Sequence, residues 1–427
     1  MNILLLGSGG REHALARSIA QSKLCSQLFI APGNPGTAQH GKNILLSPTD
    51  FDAIKKCCLE NKIELVVVGP EDPLVKGIYD FFISDIELKK IPVIGPSKDA
   101  AQLEGSKAFA KEFMLKHNIP TAAYQSFDVN SLEKGVEFIR ALNTPVVLKA
   151  DGLAAGKGVL ICKTLDIAEE EFRNMLHGKF GSASERVVVE EFLHGIEMSV
   201  FILSDGLNYL LLPTAKDYKK IGEGDTGLNT GGMGAISPVP FADDLLMKKI
   251  VGQMIQPTID GLQEDKLVYK GFIYFGLMIV NGEPFMIEYN CRMGDPETEA
   301  VLPRIESDLV ELFLATANEK LSVKKISISS KYCATIVLTS GGYPELYEKG
   351  KTISGIESIK NSVVFHAGTT MTNGELQTSG GRVLAITSLG NTLEEALKIS
   401  KSNAEKIQFE EKYFRHDIGF DVLNLKN

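Results

Sequence analysis

The sequence predicts a multidomain α/β and α+β protein. It would have an N-terminal doubly wound parallel sheet, a central region with a small subdomain, and a small C-terminal α+β domain. Two observations support this prediction. The N-terminal part alternates short apolar strands with helical segments, a βαβα order typical of doubly wound sheets. At 427 residues, the chain also exceeds the usual size of one hydrophobic core, so about two to four domains are expected.

The N-terminal elements follow from apolar runs and helical periodicity. Strands are expected at residues 2–6, 27–30, 65–68 and 92–94, and helices at residues 11–21, 52–61 and 73–84. Each strand ends in a turn that contains glycine or proline, at residues 7–10, 31–36, 69–73 and 95–96. Ligands of such sheets bind beyond the carboxyl ends of the strands, so these turns predict a binding edge.

The remaining chain shows mixed patterns. A helix over 97–117 leads into a small α/β unit at 121–191, and an α+β region up to 297 precedes a helix at 308–319. Polar residues 322–331 indicate a linker, and hairpin signals follow at 372–374 and 379–382. We therefore expect three domains, at residues 1–102, 103–325 (with the small unit at 121–191) and 326–427.

Composition excludes several classes of protein. The net charge of −9 argues against non-specific binding to nucleic acids or anionic membranes, since no excess of lysine and arginine exists. The six cysteines form no C-x-x-C pair, which makes a disulfide scaffold or a zinc site unexpected. The apolar start at residues 3–6 is far shorter than a signal segment, and no apolar stretch approaches the ~18 residues of a membrane span. A cytoplasmic protein is expected.

One glycine-rich segment predicts a phosphate site. Residues 149–158 (KADGLAAGKG) follow the apolar run 145–148, so a strand should lead into a glycine turn with lysines on either side. Such a turn offers backbone N–H groups and positive charge to phosphate oxygens. It is not a P-loop, because only three residues separate Gly152 from Gly156 and no Ser or Thr follows Lys157. A flexible hairpin loop is the alternative for this segment alone.

A second segment, at residues 288–297 (EYNCRMGDPE), predicts a metal site. It begins at the end of an apolar strand at 284–287, and alternation would place Glu288, Asn290 and Arg292 on one side. A carboxylate and an amide oxygen suit Mg²⁺, which takes few protein ligands together with phosphate oxygens. An ordinary strand end is the alternative. The two segments together indicate nucleotide-driven chemistry.

Three further stretches are candidate binding segments. The turn at 7–13 (GSGGREH) opens a helix and fits a monophosphate ester, with Arg11 as a partner. A dinucleotide site is less suitable, since Glu12 replaces the third glycine and residues 31–33 lack the acidic residue. The strand at 187–193 ends in paired acids whose backbone groups suit an adenine ring, and Glu197 suits ribose hydroxyls. The stretch 226–234 (TGLNTGGMG) shows no strand or helix pattern and is predicted to be a loop that moves or approaches a ligand.

An ordered series of short motifs resembles the ATP-grasp superfamily and, within it, the phosphoribosylamine–glycine ligase family. The motifs run over essentially the whole chain, at residues 9–14, 31–34, 69–71, 102–107, 149–158, 229–234, 290–292, 294–297, 366–369 and 380–382. Each motif is weak alone, and the ordered series is specific. The resemblance implies an ATP-grasp central region with the unit at 121–191 as a lid. It also implies a ligase that joins glycine to 5-phosphoribosylamine through a glycyl phosphate in de novo purine biosynthesis, with release of ADP and phosphate.

The resemblance also implies residue roles. Metal ligands for Mg²⁺ or Mn²⁺ would be Glu288 and Asn290, and catalytic roles would fall to Arg292, Lys149 and Asp295. The implied ATP contacts are Lys107, Lys149, Gly156, Lys157, Glu190, Glu191, Leu193 and Glu197. The implied substrate contacts are Gly9, Gly10, Arg11, Glu12, Asn34, Glu71, Asp217, Asn229, Arg292, Gly294, Asp295 and Pro296. Partners would be small molecules only, with no nucleic acid and no membrane, and the enzyme would be a monomer.

Three positions depart from the family's usual pattern. Tyr218 stands where histidine is common, Leu228 where proline is common and Met293 where phenylalanine is usual. The first casts doubt on a role for position 218. Two alternative functions stay open at this point. One is another ATP-grasp carboxylate–amine ligase or carboxylase of nucleotide metabolism, and the other is a nucleotide-binding regulator without activity, which would tolerate loss of the metal pair or of Arg292.

Overall fold

A computed structural model describes residues 1–153 and 158–423. Its N-terminal region is the predicted parallel sheet, with strand order β5-β4-β1-β2-β3. The strands are apolar and buried because helices cover them, as expected for parallel sheets. The elements are β1 (Asn2–Gly7), α1 (Gly10–Ala20), β2 (Gln27–Pro32), β3 (Lys42–Asn43), α2 (Phe51–Glu60), β4 (Leu65–Val68), α3 (Glu71–Val75), α4 (Ile78–Ser84) and β5 (Val93–Pro96).

Two predicted helices are each divided in the structure. The helix expected at 73–84 is interrupted between α3 and α4, where Gly77 has a left-handed φ of 88°. The helix expected at 97–117 consists of α5 (Gln102–Gly105) and α6 (Lys107–Lys116). Ser106 between them is extended, and its hydroxyl accepts a hydrogen bond from the N–H of Phe109 at 3.1 Å. Ser106 therefore starts a new helix as an N-cap, and the two continuous helices were wrong predictions.

The small unit that follows has its own antiparallel sheet and core. Its strand order is β6-β9-β7-β8, and two helices cover one face. Phe172 lies at the centre of this core, fully buried, with its ring edge-on to Phe127 at 5.8 Å. The elements are β6 (Tyr124–Asp128), α7 (Leu132–Ala141), β7 (Val146–Ala150), β8 (Val159–Cys162), α8 (Leu165–Leu176) and β9 (Arg186–Glu191).

The central region continues the N-terminal sheet. Strand β5 pairs with β16 through Pro96–Tyr269 and Gly95–Lys270, which joins the parallel strands to an antiparallel set in one nine-stranded sheet. The elements are β10 (Ile196–Ser204), β11 (Tyr209–Leu211), β12 (Lys216–Asp217), β13 (Lys220–Gly222), β14 (Thr226–Asn229), β15 (Gly234–Ser237), α9 (Asp244–Ile250), α10 (Gln256–Glu264), β16 (Tyr269–Val280), β17 (Glu283–Asn290), α11 (Glu297–Val301) and α12 (Leu309–Ala317).

The glycine-dense stretch at 226–234 is only partly a loop. Strands β13 and β14 form a two-stranded hairpin, and β15 begins at Gly234. All four residues of β14 are exposed. The sequence therefore lacks the alternation of apolar and polar residues that would predict a strand. The prediction of a segment without strands was therefore wrong.

The C-terminal region is an α+β unit built on a sheet with the order β12-β15-β18-β22-β19. Two strands of this sheet come from the central region, so sheets cross both predicted domain boundaries, which stay predictions. The hairpin expected at 372–374 is confirmed, with positive φ at Asn373 and Gly374. The elements are β18 (Tyr332–Thr339), β19 (Val363–His366), β20 (Thr369–Thr372), β21 (Glu375–Thr378), β22 (Arg382–Gly390), α13 (Leu393–Lys406) and α14 (Phe420–Leu423).

Helices that could cross a bilayer are absent from residues 1–153 and 158–423, where no helix is both long and apolar enough.

Truncation of the core of the small unit should weaken that unit. Phe172→Ala removes a fully buried ring and is expected to cost about 3–5 kcal/mol in free energy of unfolding. Ile167→Ala on the same helix, where the side chain is 47% exposed, should cost about 0.5 kcal/mol or less. Hydrogen exchange of amides in residues 124–191 measures both effects. Equal protection in the two variants would contradict a separate core centred on Phe172.

Candidate active site

The predicted site residues meet at one large cavity of about 820 Å³. It lies between strands β7 and β9 of the small unit on one side and β16, β17 and the hairpin β13–β14 on the other. The predicted residues that line it are Glu71, Lys107, Lys149, Glu190, Glu191, Leu193, Glu197, Asp217, Asn229, Glu288, Asn290, Arg292, Gly294 and Asp295. Residues from six separate stretches of the chain therefore share this space. Gly156 and Lys157 lie outside the described residues.

Three lysines and one carboxylate form the wall on the side of the small unit. Oε2 of Glu190 lies 2.9 Å from Nζ of Lys149 and 3.2 Å from Nζ of Lys111. Lys149 also donates to the carbonyl of Ile287 at 3.2 Å, which links β7 to β17. Burial lowers the pKa of Lys107, and it lowers the pKa of Lys111 to about 8 despite the opposing charge of Glu190. An anion in the cavity would favour the charged form of both lysines.

The end of β17 supplies the opposite wall. Burial alternates from Glu288 through Arg292, and Glu288, Asn290 and Arg292 line the cavity as the sequence predicted. The Asn290 amide is satisfied when its NH₂ group donates to the carbonyl of Tyr289 at 3.0 Å and to Oε1 of Glu104 at 3.1 Å. Its oxygen then points away from Glu104.

Glu288 and Asn290 suit a hard divalent cation. Both present oxygen donors toward a cavity that also holds lysines able to bind phosphate. Within residues 1–153 and 158–423, no three His, Cys, Asp or Glu side chains form a metal cluster. A donor set of this size fits Mg²⁺ or Mn²⁺ that completes its coordination with phosphate oxygens and water, and it does not fit a closed structural metal site.

Arg292 is held by two carboxylates. Its Nη2 lies 2.7 Å from Oε1 of Glu104, and its Nε lies 3.3 Å from Oε2 of Glu71. Burial alone would lower the pKa of Arg292, but these carboxylates outweigh burial and raise it. The guanidinium is therefore fixed in charge and orientation at the border between the cavity and the N-terminal sheet.

A mixed cluster of acids and lysine lies deeper in the cavity. Nζ of Lys219 is 3.1 Å from Oε2 of Glu197. Burial opposes the charge of Lys219, but Asp217 and Glu197 outweigh it and raise the pKa of this lysine. Burial also raises the pKa of Asp217. Glu297, with Ser199 and Tyr274, completes the cluster.

The other predicted substrate residues lie behind this cavity and do not line it. They are Gly9, Gly10, Arg11, Glu12, Asn34 and Pro296. Glu12 accepts from the N–H of Gly9 at 2.6 Å and from Nε of Arg11 at 2.7 Å, so the helix caps its own N-terminus. Arg11 also donates to the carbonyl of Met293 at 3.3 Å. The turn at residues 9–12 thus contacts Met293, which directly precedes the cavity-lining residues Gly294 and Asp295.

The C-terminal domain contributes contacts to the same segment. Nη1 of Arg382 donates to the carbonyls of Asp295 at 2.8 Å and Gly231 at 2.6 Å. Asn34 donates to the carbonyl of His366 at 2.7 Å. These contacts connect the N-terminal turn, the glycine-rich hairpin and residues 294–296.

Sequence reasoning missed several residues of the site. The sequence contained only weak signals for them. Lys111 lies one helical turn after Lys107, and the other missed residues lie inside or near the motifs without a feature that distinguishes them. Their partners come from distant parts of the chain, which a single sequence does not show. The missed residues are Glu104, Lys111, Lys219, Glu297 and Arg382.

The three unusual positions have structural explanations. Tyr218 is 1% exposed, and its hydroxyl donates to Oδ1 of Asp421 at 2.7 Å, which ties the C-terminal segment to the cavity. Met293 packs in the hydrophobic core, where a flexible apolar side chain replaces an aromatic one. Leu228 is half exposed on β14. None of the three disturbs the wall of the cavity.

Comparison with known proteins finds related domains over most of the chain. Residues 1–104 match the N domain of phosphoribosylglycinamide synthetase, residues 105–298 its ATP-grasp (A) domain and residues 333–421 its C domain. A phosphoribosylamine–glycine ligase from Pasteurella multocida (strain Pm70) is 47% identical over 428 residues, which is 99% of this chain and 98% of that protein.

Solved structures show the same fold. The crystal structure of a phosphoribosylamine–glycine ligase from Thermotoga maritima has a TM-score of 0.85 and 35% identity, covering 98% of this chain and 100% of that one. The biotin carboxylase domain of 2-oxoglutarate carboxylase from Hydrogenobacter thermophilus has a TM-score of 0.73 at 18% identity, over 100% of this chain and 94% of that one. The second likeness concerns the fold alone.

The fold and the cavity define an ATP-dependent ligase of the ATP-grasp class. Within that class, the chain belongs to the phosphoribosylglycinamide synthetase family. The predicted fold class and the family resemblance are confirmed. A regulator without activity is excluded, while the roles assigned to single residues stay predictions.

Removal of the charge of Glu190 should destabilise the cavity wall. Glu190→Gln leaves Lys111 and Lys149 without their shared counter-charge in a buried place, and a cost of about 3–5 kcal/mol in free energy of unfolding is expected. Glu191→Gln is the matched control, because its amide oxygen can still accept from the N–H of Ala123 and its cost should stay below about 1 kcal/mol. Denaturant unfolding compares the two, and a similar loss in both would contradict the buried charge pair.

Proposed function

We propose that the enzyme joins glycine to 5-phosphoribosylamine in de novo purine biosynthesis, with ATP converted to ADP and phosphate. The glycine carboxylate would take the γ-phosphoryl group, and the amine would then attack the glycyl phosphate. The relatives that match the full length of the chain support this substrate pair, since they are named phosphoribosylamine–glycine ligases. The cavity supports the chemistry, because lysines, carboxylate and amide oxygens and a fixed guanidinium line the same cavity.

The nucleotide would bind between β7–β9 and β17. Lys107 and Lys149 would contact its phosphates together with the loop that contains Gly156 and Lys157. Backbone groups at Glu191 and Leu193 would meet the adenine ring, and Glu197 would reach the ribose. Glu190 would act mainly by holding Lys149, which it contacts at 2.9 Å. Positions on the cavity wall support each of these roles except those of Gly156 and Lys157.

Glu288 and Asn290 would hold Mg²⁺ or Mn²⁺. Bound there, the cation would neutralise the charge that develops on the phosphoryl oxygens during transfer. Lys107 and Lys149 would orient the phosphates, and Arg292 would orient the glycine carboxylate. The pairing of Arg292 with Glu104 and Glu71 supports a positioning role, since this guanidinium cannot turn without breaking both contacts.

The remaining substrate contacts would divide between two groups. Asp217 and Asn229, with Gly294, Asp295 and Pro296, would border glycine and its acyl phosphate. Gly9, Gly10, Arg11, Glu12, Asn34 and Glu71 would bind the phosphoribosyl part. Glu71 supports a connection between the glycine contacts and the phosphoribosyl contacts. It lines the cavity, and its Oε2 lies 3.9 Å from Nη2 of Arg11. The small unit would act as a lid, since an acyl phosphate exposed to water hydrolyses readily.

We also propose that the enzyme acts as a cytoplasmic monomer. All six cysteines are unpaired, as is usual in a reducing compartment.

The direct test is ADP release from ATP and Mg²⁺, with glycine and freshly generated phosphoribosylamine added separately and together. Turnover that requires both substrates is expected. Turnover with a different acid or amine would remove the proposed substrates and leave the ATP-grasp class intact.

The metal assignment predicts a selective loss of activity. Glu288→Gln should reduce turnover by about 100-fold or more, because several kcal/mol of charge stabilisation depend on the cation. Glu283→Gln on the same strand is the control, since its carboxylate is exposed and pairs only with Lys249 at the surface. Turnover is measured over a range of Mg²⁺ concentrations, with thermal unfolding as the check on folding. Full activity of Glu288→Gln at ordinary Mg²⁺ would refute the assignment.

A further inference from the structure

Glu297 is a buried acid on the cavity wall and has none of the roles proposed above. It opens helix α11 directly after Pro296, is 3% exposed and still borders the cavity. Its Oε1 accepts a hydrogen bond from the hydroxyl of Ser199 at 3.2 Å. That hydroxyl also lies 3.1 Å from the phenol oxygen of Tyr274. Ser199 and Tyr274 thus fix the orientation of the carboxyl group.

The second oxygen of Glu297 is directed toward the substrate segment. No other residue of the described chain donates a hydrogen bond to Oε2. This oxygen lies against the main chain of Gly294, where a Cβ atom would collide with the carboxylate. Glycine at position 294 therefore leaves room for the carboxylate of Glu297. Oε1 is anchored by Ser199, and no other described residue engages Oε2, which lies beside the segment where the acyl group and the amine are proposed to meet.

The charges around Glu297 favour a carboxyl group that exchanges a proton near neutral pH. Burial is the largest influence and the adjacent charge of Asp217 is the next, and together they raise the pKa of Glu297 to about 7. The backbone N–H of Glu297, followed by the charges of Lys219 and Arg292, opposes this rise. Tyr274 and Arg382 also face Glu297. A catalytic base is most effective when its pKa lies near the working pH.

We propose that Glu297 is the general base that accepts the proton of the attacking amine. This inference rests on the proposed function. The nitrogen lone pair forms a bond to the carbonyl carbon of the acyl phosphate, and the carbon–oxygen bond to phosphate breaks, with its electron pair leaving on phosphate. The surplus proton of the nitrogen passes to Oε2 of Glu297. Glu297 returns it to solvent before the next turnover.

Other carboxylates of the site are engaged elsewhere. Asp295 lies 3.1 Å from Nη1 of Arg382, which holds it as an ion pair. Asp217 faces the positive charges of Lys219 and Lys216, which favour its ionised form and engage it. Glu299 lies against Gly10 beneath α1, away from the cavity wall. Glu297 is thus the acid that combines a fixed orientation with an available oxygen beside residues 294–295.

Hydroxylamine separates the two chemical steps. It is uncharged at neutral pH and attacks acyl phosphates without a base, so it reports formation of glycyl phosphate as glycine hydroxamate. In Glu297→Gln, hydroxamate formation from ATP, Mg²⁺ and glycine should stay within about threefold of wild type. Turnover with phosphoribosylamine should fall by about 100-fold or more. Glu297→Asp should restore part of that turnover.

The pH dependence of the wild-type enzyme provides a second measurement that requires no variant. Turnover with phosphoribosylamine should decline as the pH falls below about 7, because Glu297 becomes protonated and cannot accept a proton. Hydroxamate formation, measured at a constant concentration of neutral hydroxylamine, should lack this decline. Ser199→Ala, which removes the anchor of Oε1, should shift the decline along the pH axis.

Two results would overturn the proposal. One is an equal loss of hydroxamate formation and amine-dependent turnover in Glu297→Gln, which would place the residue in phosphoryl transfer or in folding. The other is the same acid decline for both nucleophiles in wild type. If wild type forms no hydroxamate with glycine at all, the proposed function fails and not merely the role of Glu297.

Discussion

The carboxylate of Glu104 is the contact on which the geometry of the site depends. Its Oε1 pairs with Arg292 at 2.7 Å and accepts from the amide of Asn290, and its Oε2 accepts from the N–H of Cys291, 187 residues away in the chain, at 2.8 Å. One buried side chain thus orients three consecutive residues at the end of β17. Loss of one partner from a buried ion pair leaves an uncompensated charge at a cost of about 3–5 kcal/mol. Asn290 and Arg292 are therefore held in fixed relative positions.

Charged and polar groups of different kinds occupy different parts of the cavity wall. Lysines line the side of the small unit, carboxylate and amide oxygens line the end of β17, and acids gather around Lys219, as the proposed contacts with phosphate, a cation and the amine would require. The pairing of β5 with β16 brings the N-terminal turns to the same place, because it places the parallel strands in the sheet that carries β17. The proposed phosphoryl transfer and amide formation would then share one cavity. Burial of its charged groups, such as Lys149 and Glu190, strengthens their electrostatic contacts.

Periodic features of the sequence predicted their structures well, and long-range contacts escaped prediction. Apolar runs predicted the parallel strands, and alternation correctly placed Glu288, Asn290 and Arg292 on one side. The helix break at Ser106 was missed because a capping hydroxyl can equally lie within a helix. The strand β14 was missed because its residues are polar and exposed. Glu104, Lys111 and Glu297 gain their importance from partners on other elements, which spacing along the chain does not reveal.

Amide formation by the proposed route requires that the glycine carboxylate be activated by phosphorylation in this cavity. Turnover with glycine labelled with ¹⁸O in its carboxylate, followed by mass analysis of the released phosphate, tests it most directly. We expect one ¹⁸O atom in each phosphate, since the carboxylate oxygen leaves with phosphorus when the amine attacks. Unlabelled phosphate in the presence of full ligase turnover would contradict an acyl phosphate route.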